Sequence, residues 1–325
     1  MDKVTKFVGI DVSKDVLDVS TFEGKHYQFS NDAKGHAELL ELLDPETQCV
    51  MEATASYHQM LATCISTNGL AVSVVNPLVI KRFIQMRLRL AKTDKADAEM
   101  IRLYGETERP ALWTPPQEYV AQAREIHSTV MLLIRQRTAL KNKLHSVSCK
   151  PGNFSLVLKS LQKQIKAIDA QVKVLESAME ELIQQNEPAL FGRLCTIPGI
   201  GRKTALFLIV ITNGFSDFES SKQLSAFLGL APTIRRSGSS VRGQSRISKT
   251  GNSTIRNLLF MCSFTACQRN KACKELFDRI VEKGKSKKLA LIAVANKLLK
   301  QSLAIAKSGM RYQEGYCSVN PGLVA

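Results

Sequence analysis

A single tryptophan and 6% aromatic residues in a chain of 325 leave little material for recognising exposed nucleobases by stacking. The eight cysteines, Cys49, Cys64, Cys149, Cys195, Cys262, Cys267, Cys273 and Cys317, include no Cys-x-x-Cys pair, and the five histidines are scattered. Neither zinc-ligand spacing nor a disulfide framework is therefore visible, and buried, reduced thiols are expected. No uninterrupted apolar run approaches the ~18 residues of a membrane span; the longest candidate is 204–212. The opening Met1-Asp2-Lys3-Val4 does not read as a signal peptide, so a soluble, intracellular protein with no membrane partner is expected. Acidic residues are also scarce, 29 against 45 Lys and Arg, for a formal charge of +16, an excess that points to a polyanionic partner. With 44% apolar residues a mainly disordered or fibrous chain is excluded, and the length suits two or three domains.

The first third alternates strand and helix patterns. Residues 6–10, 17–22 and 26–30 are short β-branched and aromatic runs separated by turn chemistry, which predicts a three-stranded meander. A helix over 36–43, a strand over 48–52, a helix over 57–66 and a strand over 71–75 follow. The sum is a mixed sheet covered by helices. After the break Trp113-Thr114-Pro115-Pro116, apolar positions recur at Ala123, Ile126, Val130, Leu133, Leu140, Leu144 and Val147, with Arg137 filling a gap in the register. A second run, Leu158, Leu161, Ile165, Ile168, Val172, Leu175, Met179 and Leu182, steps by alternate threes and fours, the pattern of a coiled coil. Lys150-Pro151-Gly152-Asn153 must break the helix between them, giving a hairpin that folds on itself or zips against another protomer. Beyond Asn186-Glu187-Pro188 a third, mostly helical segment begins. Between 233 and 307, 17 Lys or Arg face only Glu275, Asp278 and Glu282, so this segment carries most of the net charge, as a nucleic-acid footprint does. The expected domains are 1–113, 114–187 and 188–325, an α/β domain followed by all-α segments.

Three constellations carry chemistry. Asp11 closes the first strand and Glu52 the fourth, while Asp94 and Asp97 are spaced i, i+3 on one helix face. If the first and fourth strands are parallel neighbours, these four carboxylates converge. Such a cluster is costly without a cation, and hard oxygen donors suit Mg²⁺, with Mn²⁺ as a substitute. Two such ions would clamp a scissile phosphate. The second constellation, Thr196-Ile197-Pro198-Gly199-Ile200-Gly201-Arg202-Lys203, opens an apolar helix and resembles the loop of helix-hairpin-helix DNA-binding modules. Gly199 and Gly201 would let the backbone approach a phosphate, with Arg202 and Lys203 beside it. The third is Arg235-Arg236-Ser237-Gly238-Ser239-Ser240-Val241-Arg242 with Arg246 and Lys249 following. Composition favours a basic loop gripping phosphate; a hydroxyl nucleophile beside a guanidinium is the alternative.

Taken in order along the chain, Gly9-Ile10-Asp11, Glu52-Ala53-Thr54, Thr93-Asp94-Lys95-Ala96-Asp97-Ala98, Ile197-Pro198-Gly199-Ile200-Gly201 and Ser237-Gly238-Ser239-Ser240-Val241-Arg242-Gly243 resemble the DEDD transposases of the IS one-ten family of insertion sequences, understood as bridge-RNA-guided recombinases. The resemblance implies a RuvC-like domain of RNase H type whose quartet, here Asp11, Glu52, Asp94 and Asp97, binds Mg²⁺. It implies a coiled coil for assembly and a C-terminal transposase domain whose catalytic serine is here Ser237, with Ser239 and Ser240 as rivals. It further implies a site composed from two protomers of a dimer or tetramer, a covalent phosphoserine, a Holliday junction, and a structured noncoding guide RNA pairing with donor and target DNA. Thr54 and Tyr57 are candidates to line the metal site. The implied location is the bacterial cytoplasm, associated with the nucleoid. The competing enzyme is a RuvC-like junction nuclease that uses water as nucleophile.

Overall fold

A computed structural model describes residues 6–88, 93–233, 236–237, 241–242 and 246–315. The chain forms two compact units, Met1–Pro116 and Gln117–Ala325. The first contains β1 (Lys6–Val12), β2 (Val16–Ser20), β3 (His26–Ser30), α1 (Ala33–Leu40), β4 (Thr47–Glu52), α2 (Tyr57–Thr67), β5 (Ala71–Val75), α3 (Pro77–Met86) and α4 (Asp94–Glu108). The strands order as β3-β2-β1-β4-β5, with β1 antiparallel to β2 and parallel to β4. The mixed sheet expected from the pattern is present, and the first and fourth strands are parallel neighbours. β1 runs two residues further than its apolar run, because Asp11 and Val12 still pair with Asp18 and Leu17. α1 starts earlier than expected because the Asp32 carboxylate accepts from the Lys34 and Gly35 amides, capping the helix there.

Both faces of the sheet are covered. Val8, Ile10, Val12, Leu17, Val19 and Met51 pack with Leu39 of α1 and Leu61 and Ile65 of α2. Phe7, Val50 and Val75 on the other face pack with Ile80 of α3 and Ile101 of α4. That two-sided burial explains why the central strands are near-continuous apolar runs. On the second face α4 lies directly against the backbone. A Cβ on Gly9 would stand 2.2 Å from the Ala98 carbonyl oxygen and the Arg102 amide, and one on Gly105 would stand 2.8 Å from Phe7 and Val50 side-chain atoms.

The second unit opens with two long helices, α5 (Glu118–Ser148) and α6 (Ser155–Asn186). They pack along one another, so the hairpin folds on itself, burying Val130, Val147, Ile165, Val172 and Met179. Arg137 in the register gap reaches across, Nη1 donating to Asp169 Oδ1 at 2.8 Å. Next come α7 (Pro188–Leu194), α8 (Arg202–Thr212) and α9 (Ser221–Phe227). Two-residue strands follow, β6 (Pro232–Thr233) paired with β9 (Arg246–Ile247) and β7 (Arg236–Ser237) with β8 (Val241–Arg242). The chain then forms α10 (Ser253–Arg269), α11 (Lys271–Glu282) and α12 (Lys287–Ser308). α12 is long and apolar enough to cross a membrane by length and composition alone. Lys297 and Lys300 interrupt its run; in the fold Val294, Leu298 and Leu299 sit in the core with Leu206, Phe207 and Leu259.

Gly9→Ala should destabilise the first unit by about 3 kcal/mol or more, since rigid backbone is what the added methyl meets. Denaturant unfolding checks this; a loss below about 1 kcal/mol would mean that α4 can lift off without cost.

Candidate functional site

Strand register and one helix start assemble the carboxylates. Ile10 pairs with Met51 across the parallel β1–β4 ladder, so the next residues, Asp11 and Glu52, lie side by side on the face that α4 covers. Thr93 caps α4, its hydroxyl accepting from the Ala96 amide, which places Asp94 and Asp97 in the first turn, where the helix dipole favours negative charge. Close packing of α4 on Gly9 then carries that turn toward the end of β1. Thr54 hydrogen-bonds Glu52. Tyr57, half exposed, opens α2.

Burial and mutual repulsion mark the cluster. Burial pushes the Asp11 carboxyl up to about 6, and Asp97, Glu52, Asp94 and Asp18 push it the same way. Glu52 is raised by burial and then by Asp97, against the Thr54 hydrogen bond. Among the described residues no three His, Cys, Asp or Glu side chains close tightly enough to enclose a metal ion. By chemistry the quartet still fits a hard divalent cation, because burial and neighbouring acids raise the affinity of Asp11 and Glu52 for positive charge. Sequence reasoning passed over Asp18, the cross-strand partner of Asp11. It is 6% exposed and is held by His26 Nε2 at 2.9 Å and Gln28 Nε2 at 3.3 Å. Its signal was a lone acid in an otherwise apolar strand, Val16-Leu17-Asp18-Val19.

The helix-hairpin-helix-like loop serves packing at one glycine and is open at the other. Gly199 has φ of 106°, and a Cβ there would meet Ala266 of α10 at 2.7 Å. Gly201 caps α8 with open space around it. Arg202 pairs with Glu180 and Lys203 with Glu176, both on α6. The same cations stand over the Phe191 and Phe207 rings. In the serine segment, Arg236 and Ser237 form β7, Arg242 ends β8, Arg246 opens β9, and Lys249 is exposed at φ of 57°. Arg235, Ser239 and Ser240 lie outside the described residues.

Asp11 binds a proton more readily in the folded protein than in the unfolded chain. Its contribution therefore favours folding fully below pH 3.8 and is lost as pH rises through about 6. Asp11→Asn should stabilise the metal-free protein by about 1–2 kcal/mol at neutral pH, after discounting for solvent screening, with the gain vanishing in acid. Urea unfolding at several pH values checks this; a pH-independent difference would remove the charged form of Asp11 as the cause.

Comparison with known proteins covers both units. Residues 8–147 match the DEDD transposase family of IS110 elements, and residues 192–278 match the transposase IS116/IS110/IS902 family. The pilin gene-inverting protein of Moraxella lacunata is 31% identical over 95% of this chain and 98% of its own length. Its namesake in Moraxella bovis has the same identity and coverage. The transposase for insertion sequence element IS1328 of Yersinia enterocolitica is 26% identical over 83% of this chain and 86% of its own. Similarity that runs from the carboxylate-bearing sheet through the C-terminal helices places the chain in the IS110 transposase family, and it is a DNA recombinase.

Proposed function

We propose that this transposase exchanges donor and target DNA strands by serine attack under the direction of a structured noncoding guide RNA. The supporting observation is the carboxylate cluster in which Asp11 and Glu52, at the ends of β1 and β4, have their proton affinity raised by burial and by the neighbouring acids, Asp97 on both and Asp94 on Asp11. In this reading the first unit is RuvC-like and the α5–α6 hairpin is a coiled coil used in assembly, with domains 1–113, 114–187 and 188–325. The quartet would hold Mg²⁺, or Mn²⁺ in its place, which when bound polarises the scissile phosphate and neutralises developing charge. Ser237 Oγ forms a bond to phosphorus while the phosphorus bond to the leaving sugar oxygen breaks, the serine proton passing to that oxygen. The covalent phosphoserine keeps the phosphodiester's energy, so a second hydroxyl can reseal the strand, by way of a Holliday junction. Arg235, Arg236, Arg242, Arg246 and Lys249 are positioned along the chain to grip phosphates around that serine.

Quartet and serine come from different protomers of a dimer or tetramer in this reading. The work is done in the bacterial cytoplasm, at the nucleoid. The pilin gene-inverting relatives are named for an inversion, which requires the same strand exchange between two sites on one DNA. A second reading, hydrolysis by water at the carboxylate cluster, is favoured by the position of all four acids in one compact unit, Met1–Pro116, that does not include Ser237.

The test is co-expression with the noncoding DNA flanking the gene, followed by a search for a protein–DNA adduct that survives denaturant. An adduct that requires a divalent cation and disappears in both Ser237→Ala and Asp11→Asn is expected. Cut ends without an adduct would give the reaction to water. An adduct formed equally well without the flanking transcript would remove the guide RNA.

A further inference from the structure

The α5–α6 hairpin is divided lengthwise by charge, a feature that the carboxylate cluster and the serine segment do not use. Its distal half carries Arg135, Arg137, Lys141, Lys143, Lys150, Lys159, Lys163 and Lys166, and no acidic residue occurs between Glu125 and Asp169. Its root is the reverse: from Val174 to Glu187 there are Glu176, Glu180, Glu181 and Glu187 and no Lys or Arg. Glu176 and Glu180 there are engaged by Lys203 and Arg202. At the boundary Arg137 is spent on Asp169. The remaining cations of the distal half are exposed. Lys159, Lys163 and Lys166 recur at i, i+4 and i+7, a single stripe on α6.

We infer that the distal half of this hairpin is a duplex-DNA grip, a second footprint separate from the basic C-terminal segment. Charge complementarity selects the occupant. Uncompensated like charges along a rigid helical arm cost stability unless a polyanion neutralises them. The arm extends about 20 Å, about six base-pair steps of one phosphate strand. Phe154 at the turn is its one aromatic residue, so it lacks the stacking surface that single-stranded nucleic acid uses. The acidic surface that a second copy of this chain would offer is already committed in part to Arg202 and Lys203, which leaves a phosphate backbone as the better match. Contacts of this kind position a duplex without reading it.

The inference rests on duplex DNA being the substrate, and its failure is separable from that of the serine mechanism, because Ser237→Ala should remove the adduct and leave this footprint intact. The full-length triple variant Lys159→Gln, Lys163→Gln, Lys166→Gln keeps good helix formers at exposed positions. Affinity for a duplex of about 30 base pairs, measured by fluorescence anisotropy across a salt series, should fall by about tenfold or more at moderate salt. The slope of log affinity against log salt should shrink by about 2 to 3. An unchanged slope overturns the inference, as does a loss confined to an RNA duplex of the same sequence. A changed oligomeric mass by light scattering with DNA affinity intact also overturns it, and leaves the distal half with only the assembly role proposed for the hairpin. Should the triple variant fail to fold, Lys163→Gln alone should lower the slope by about 1, and no change there counts equally against the proposal.

Discussion

The contact of a helix with the bare backbone of the central strand governs the first unit. Gly9 admits α4 against β1, and Gly105 admits Phe7 and Val50 against α4. That approach sets how far the first turn of α4, with Asp94 and Asp97, overlaps the strand positions of Asp11 and Glu52. The hydrophobic packing of Ile101 with Phe7 and Val50 supplies the favourable term. Burial of the carboxylates and then their mutual repulsion, which together raise the proton affinity of Asp11 and Glu52, oppose it. The acids are thus held together by apolar contacts made elsewhere along the same helix, a division common where a site carries strain.

The second unit settles its charge differently. Cations at the exposed start of α8 meet acids on α6 and lie over aromatic rings, so a loop with the composition of a phosphate cradle spends part of its charge inside the protein. Such exposed pairs contribute little to stability. They do orient the side chains, so a phosphate arriving at the open space before Gly201 would compete with Glu180 and Glu176 for the same guanidinium and ammonium groups.

Much of this architecture was legible in the residues. The apolar runs located the five strands of the sheet, and the i, i+3 spacing of Asp94 and Asp97 on a helix was visible before any fold was known. Local signals sufficed there because strand and helix periods are local. Asp18 was not legible, since an acid in a short strand reads as solvent-facing until a helix is known to cover that face. The partners of Arg202 and Lys203 lie more than twenty residues upstream on another helix, and no periodicity carries that pairing. α12 escaped notice because Lys297 and Lys300 break its apolar run, although their neighbours Val294, Leu298 and Leu299 are buried. A nucleophilic role for the serine segment is implied only by the family resemblance; its composition alone favoured a phosphate grip.

The central place of α12 bears on how the chain is made. α12, which packs on α10 and α7 in the core of the second unit, follows them in sequence, so it leaves the ribosome after them. Until then α10 lacks the α12 side of its packing, and Leu259 waits on a partly open apolar surface. The basic segment between α9 and α10 is therefore synthesised well before the unit that carries it can fold. Competence for DNA is tied in this way to completion of α12, and a chain interrupted before it would be a substrate for chaperones and proteases rather than a partially active recombinase.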